Sequence, residues 1–182
     1  RIEEDGKFYF RGQIKDPIPA LLTINGKRTY RLYLSPGDNV EMILVPNNEK
    51  KTKIKGTKLT TEWYSIVAPQ KKEDYDVHLS RLENWVINNP SHIFSPDIIA
   101  SYLAYKWNYS ELTRTLNTLK EEALNTYHYK HLREREALMT HLRIGAKAPN
   151  FTSKNLQNKT FRLTDEVRKH DYTLLDFWAS WS

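Results

Sequence analysis

The sequence predicts an α+β chain with a small antiparallel β-sandwich or barrel, a helical middle segment and the opening of a second sheet. Three observations carry that prediction. Residues 1–68 hold short alternating runs separated by turn dipeptides. Residues 69–142 switch to apolar positions at helical spacing. Residues 143–182 close on a nearly continuous apolar run, as a strand buried on both faces reads. These segments define three expected domains: 1–68, 69–142 and 143–182.

In the first segment Phe8, Phe10 and Ile14 are apolar beats broken by Gly12, and Asp16-Pro17 and Pro19 make a turn. Leu22 and Ile24 lead into Asn25-Gly26, a hairpin signal because both residues tolerate positive φ. Tyr30, Leu32 and Leu34 alternate on the returning strand. Ser35-Pro36-Gly37-Asp38 is a turn, with proline presetting φ. A strand over Val40–Val45 follows, stopped by Pro46, and Lys53–Lys55 adds a short edge strand.

In the middle segment Tyr75, Leu79, Leu82 and Val86 form one helical stripe that ends before Pro90. Ser95-Pro96-Asp97 reads as a helix start, with a capping serine, a first-turn proline and an early acid. Ile98, Ile99, Tyr102 and Leu103 give that helix its apolar face. Ser110 caps a third helix with the stripe Leu112, Leu116, Leu119 and Ala123. A fourth starts near Thr126 and carries Tyr129, Leu132, Met139 and Leu142.

The third segment opens with the extended stretch Ala148–Phe151. Phe161 and Leu163 suggest a strand after the polar turn 155–159, and Thr164–Val167 a short helix. The run Thr173–Ala179 then reads as a central strand, whose two edges both need partners.

Composition narrows the function classes. The 182 residues are 39% apolar and 27% charged, enough to bury a core. There is no cysteine, which excludes disulfides, thiolate zinc sites and thiol catalysis by these residues. No apolar run reaches the length of a membrane span. The chain starts at Arg1 without a signal-like stretch, which reads as a mature or trimmed product. The net charge of +6 is spread along the chain. Lys50, Lys51, Lys53, Lys55 and Lys58 form the one local basic run, a phosphate stripe or, on the plainer reading, a solvated edge strand. No nucleic-acid-binding signature accompanies it, so no nucleic-acid partner is expected.

Leu174-Leu175-Asp176-Phe177-Trp178-Ala179-Ser180-Trp181 resembles the strand before the redox motif of thioredoxin-like proteins. Ile144-Gly145, Ala148-Pro149 and Phe151 resemble the segment that leads into that fold in bacterial envelope thiol–disulfide oxidoreductases and their peroxiredoxin-related kin. Weaker collinear phrases, Leu34-x-Pro36-Gly37-Asp38-x-Val40, Ile54-x-Gly56-Thr57 and Asn88-Asn89-Pro90-Ser91, resemble a β domain of unknown function and its helical connector. The resemblance implies an incomplete thioredoxin-fold start at residues 143–182. It also implies a periplasmic or envelope-lipoprotein location and a protein thiol or disulfide client.

Residue by residue, the resemblance puts Ser182 at the position of the first redox cysteine, with Trp181 flanking it and Asp176 as the family's buried acid. The family's chemistry needs a low-pKa thiolate at a helix N-terminus. A serine hydroxyl forms no disulfide and is a poor nucleophile without a base. The chain is therefore expected to be catalytically inactive, the front part of an oxidoreductase, with no cofactor and no metal. The competing expectation is a non-catalytic binding module that works through the β domain and strand addition. A third is a homodimer paired through the orphan C-terminal strand.

Other candidates are plainer. His128 and His131, with Glu134 and more distant His141, have the spacing of metal ligands but sit in a charged, solvated helix face. Tyr102, Tyr105, Trp107 and Tyr109 suit either a ligand platform or core packing. Glu3, Glu4 and Asp5 read as a solvated terminal cluster.

Overall fold

The computed structural model describes residues 7–24, 26, 28–45, 51–143, 145–179 and 181. The chain is mixed α+β and divides into two compact units, Arg1–Arg133 and Glu134–Ser182. Among the described residues the strands form three two-stranded antiparallel ribbons, with no sandwich or barrel.

In the first unit, β1 (Ile18–Ile24) pairs with β2 (Arg28–Leu34), Ile18 opposite Leu34 and Ile24 opposite Arg28. That register leaves three residues in the loop, and Gly26 takes φ +65 there. The Ser35–Asp38 turn forms as its residues require. Gly37 takes φ +85, the Asp38 N–H bonds the Ser35 carbonyl at 3.1 Å, and the Asp38 carboxylate accepts from the Ser35 N–H at 2.8 Å. β3 (Glu41–Ile43) then pairs with β4 (Lys53–Lys55). Lys51, Lys53, Lys55 and Lys58 all face solvent, while Lys50 lies outside the described residues. Gly56 follows β4 at φ +88, and a Cβ there would lie 1.8 Å from the Asn39 carbonyl oxygen.

Two β expectations change. Residues 7–17 form no strand, and Tyr9 and Phe10 are exposed. Residues 58–67, read as part of the β segment, are the helix α1 (Lys58–Val67). The cause is local. Thr57 accepts the Thr60 N–H as an N-cap, and Thr60, Trp63 and Val67 share the buried face.

Helix α2 (Tyr75–Asn88) is capped by Asp74, and Leu79, Leu82 and Val86 of its expected stripe are buried, whereas Tyr75, in the first turn, is exposed. Helix α3 (Phe94–Ile98) begins before Ser95 and has no side-chain cap. Ser95 is instead buried and donates to the Asn89 carbonyl at 2.6 Å. A π-turn over Ile99–Leu103 continues α3, with the Ala104 N–H reaching back to the Ile99 carbonyl at 2.8 Å. Helix α4 (Tyr109–Leu116) starts at Asn108, not Ser110, because Asn108 and Glu111 form a reciprocal capping box. Leu119 and Ala123 lie beyond its end but stay buried, and the Lys120 and Ala123 N–H groups bond the Pro90 and Ser91 carbonyls. Helix α5 (Tyr127–Met139) starts where Thr126 accepts the Tyr129 N–H at 3.2 Å.

The core of the first unit is aromatic. Tyr33 from β2, Trp63 from α1 and Phe94 from α3 meet with ring centroids 4.5–5.4 Å apart. Tyr102 touches Trp63 and His78 at 6.4 and 6.0 Å. The β-rich and helical segments therefore share one core.

In the second unit β5 (Thr152–Lys154) and β6 (Thr160–Arg162) form a hairpin around Asn155, whose side chain accepts from the Gln157 and Lys159 N–H groups. Helix α6 (Leu163–Val167) follows as expected, with Leu163 buried. The expected central strand does not form. Residues 172–179 have no regular structure, and none pairs with a strand among the described residues. A strand without a neighbour leaves its backbone groups to water.

Candidate functional site

A buried polar cluster surrounds Asp97. Its helix would normally carry an acid on a wet first turn, but Asp97 is 0% exposed. A buried carboxylate is tolerated only where donors meet it, and the fold delivers them from separate elements. Arg31 and Tyr33 are two apart on β2, so they point to one face of the ribbon. Ser101 is four residues beyond Asp97, so it lies over the same helical face.

The geometry is specific. Arg31 Nη1 donates to Asp97 Oδ1 at 2.5 Å and to Ser101 Oγ at 2.9 Å. Ser101 Oγ donates to Asp97 Oδ1 at 2.7 Å. The Tyr33 hydroxyl donates to Asp97 Oδ2. His128 Nε2, from α5, stands 3.6 Å from Oδ1, within charge range but short of a bond. The Arg31 guanidinium lies 5.3 Å over the Trp63 ring. Burial first, then the Asp97 charge and hydrogen bond, pushes the Tyr33 phenol far above its ordinary pKa. Tyr33 is therefore a permanent donor.

Helix α1 completes the joint through the β2 backbone. Thr60 Oγ1 accepts the Tyr33 N–H at 2.7 Å, and Thr57 Oγ1 donates to the Tyr33 carbonyl at 2.5 Å. The Tyr64 hydroxyl donates to the Arg31 carbonyl at 3.1 Å.

A second cluster joins α1 to α2. Arg81 donates to the Ile66 and Ala68 carbonyls at 2.6 and 3.0 Å and to both oxygens of Glu73. The Arg81 bond, then the Gln70 N–H, lowers the Glu73 pKa to about 2.

Within the Asp97 cluster Ser101 gives its proton to the carboxylate and accepts from the Arg31 guanidinium, so it is held as part of the clamp. Among the described residues no group of three or more His, Asp or Glu side chains is placed to hold a metal ion, at His128 and His131 or elsewhere. The His131 ring stacks parallel to Tyr127. Of the aromatic candidates, Tyr102 belongs to the core, whereas Tyr105 is exposed and shares a 2.6 Å hydrogen bond with the Tyr75 hydroxyl.

The residues indicated by the resemblance lie elsewhere. Asp176 is exposed and makes no hydrogen bond among the described residues. Trp181 is 88% exposed. Ser182 lies outside the described residues, as do Glu3, Glu4 and Asp5. Sequence reasoning missed the Asp97 cluster. Its one local signal was an aspartate set inside the apolar run Phe94–Leu103.

No family model, curated protein or solved structure matches this chain. No helix among the described residues is long and apolar enough to cross a membrane.

Proposed function

We propose that this chain is the front part of a thioredoxin-like thiol–disulfide oxidoreductase of the bacterial envelope, periplasmic or lipoprotein-anchored. In this reading the ribbons of residues 18–55 belong to a small β-sandwich or barrel. With the helices they position the redox domain or its protein client. Residues 143–182 begin the thioredoxin-like fold, and without cysteine the chain itself performs no exchange.

The observation that carries the reading is the state of residues 172–179 and 181. Tyr172, Leu174, Phe177, Trp178 and Trp181 are all exposed, though their composition is that of an interior strand. Such a segment is suited to a sheet that other residues complete. The clamp at Asp97 supports the scaffold role, because it ties ribbon and helices into one unit.

The same exposed segment also favours the second reading, a binding module that adds its strand to a partner's sheet or to a second copy. Intact mass and thiol titration of the protein from its native source separate the two. A mass well above 21.6 kDa with two thiols after reduction is the expected result. A mass of 21.6 kDa with no thiols overturns the redox reading, and a doubled native mass then identifies the paired homodimer.

A further inference from the structure

Asp97 Oδ1 already holds two donors. Oδ1 accepts from Arg31 and Ser101 at 2.5 and 2.7 Å, and Oδ2 accepts from Tyr33. Among the described residues Arg31 is the cation bonded to Asp97. His128 waits at 3.6 Å from Oδ1, its side chain 17% exposed, so protons from solvent reach it. The charged and titratable groups acting on His128 are Asp97 from α3, Arg31 from β2 and His131 from α5, while the Tyr127 ring meets it edge-on at 5.4 Å.

We propose that His128 makes the joint acid-labile: its protonation sets a second cation against a carboxylate that Arg31 already neutralises, and so loosens the β1–β2 ribbon from the helices. The proton comes from solvent and forms a second N–H bond on the imidazole; apart from that, only hydrogen bonds change. A charged His128 gains a full hydrogen bond to Oδ1 only by displacing Arg31 or Ser101. Displacing Arg31 removes one of the two side-chain ties between β2 and Asp97, leaving Tyr33. Burial holds the His128 pKa below its ordinary 6.5, opposed by Asp97 and helped by Arg31 and His131. The sign follows: the contribution of the neutral ring is present above pH 6.5 and is lost as pH falls through the lower folded value. This proposal concerns residues 18–133 and stands apart from the redox reading.

Hydrogen exchange on the full chain tests it, with β2 amides followed at about pH 7.5 and about pH 5 and corrected for intrinsic rates. The expected result is a rise in β2 opening of about threefold or more at the lower pH, absent in His128→Asn and retained in His131→Asn. The His128 ring titration in the unmodified chain, followed by NMR, provides a check that needs no variant. Its midpoint must coincide with the midpoint of the β2 opening. The proposal is overturned if the two midpoints differ. It is also overturned if β2 opening stays flat or falls at acid pH, or if His128→Asn keeps the rise.

Discussion

Asp97 and Asp176 each interrupt an apolar run, yet one is sealed in the core and the other lies in water. The runs Phe94–Leu103 and Thr173–Ala179 are comparably apolar in sequence. In the first, Phe94, Ile98 and Ile99 are fully buried, while in the second Leu174 is 93% exposed. The difference lies in what reaches each run. Arg31, Tyr33 and Ser101 converge on Asp97, and Trp63 covers Phe94. No strand or donor among the described residues meets Asp176. Apolar composition supplies a reason to be buried, but only neighbouring elements supply the burial.

The largest test of that contrast is Asp97→Ala. It strands the Arg31 charge and the Tyr33 hydroxyl and should cost about 3–5 kcal/mol, read as a lower urea midpoint by tryptophan fluorescence. Next comes Tyr33→Phe, which keeps the ring contacts but removes one donor to a buried carboxylate. The expected loss is about 1–3 kcal/mol by the same measurement. Asn108→Ala removes the capping box of α4 and should cost about 1 kcal/mol, with helical circular dichroism falling only slightly.

Glu73 offers an intermediate case between the two aspartates. Arg81 and the Gln70 N–H hold its pKa near 2, below the ordinary 4.5. Its stabilising contribution is therefore present above pH 4.5 and lost as pH falls toward 2. The gap in urea midpoint between the unmodified chain and Glu73→Gln should shrink over that window, and a constant gap would contradict the assignment. The smallest effect is expected at the other pole of the comparison. Asp176→Ala should leave stability within about 0.5 kcal/mol, and a larger loss would mean that the segment finds partners in solution.

Local chemistry made much of the fold legible in the sequence. Gly26 and Gly37 mark turns because their positive φ is intrinsic to the residue, and Leu79, Leu82 and Val86 mark a helix by spacing alone. Helix α1 escaped notice because the lysines before Gly56 drew the reading toward a β edge, while the cap at Thr57 followed directly. Ser95 looked like a cap because serine before proline and an acid usually is one; burial gave it a carbonyl partner instead. The clamp was illegible for a different reason. Arg31 and Tyr33 stand 66 and 64 residues from Asp97, and no spacing rule links a strand face to a helix that far along the chain.

The hydroxyls that α1 lays along β2 have one more consequence. Thr57, Thr60 and Tyr64 occupy outward-facing backbone groups of Arg31 and Tyr33 that a further strand would need. That side of the ribbon is closed to growth. Helix α1 therefore acts as the stop at the β2 edge.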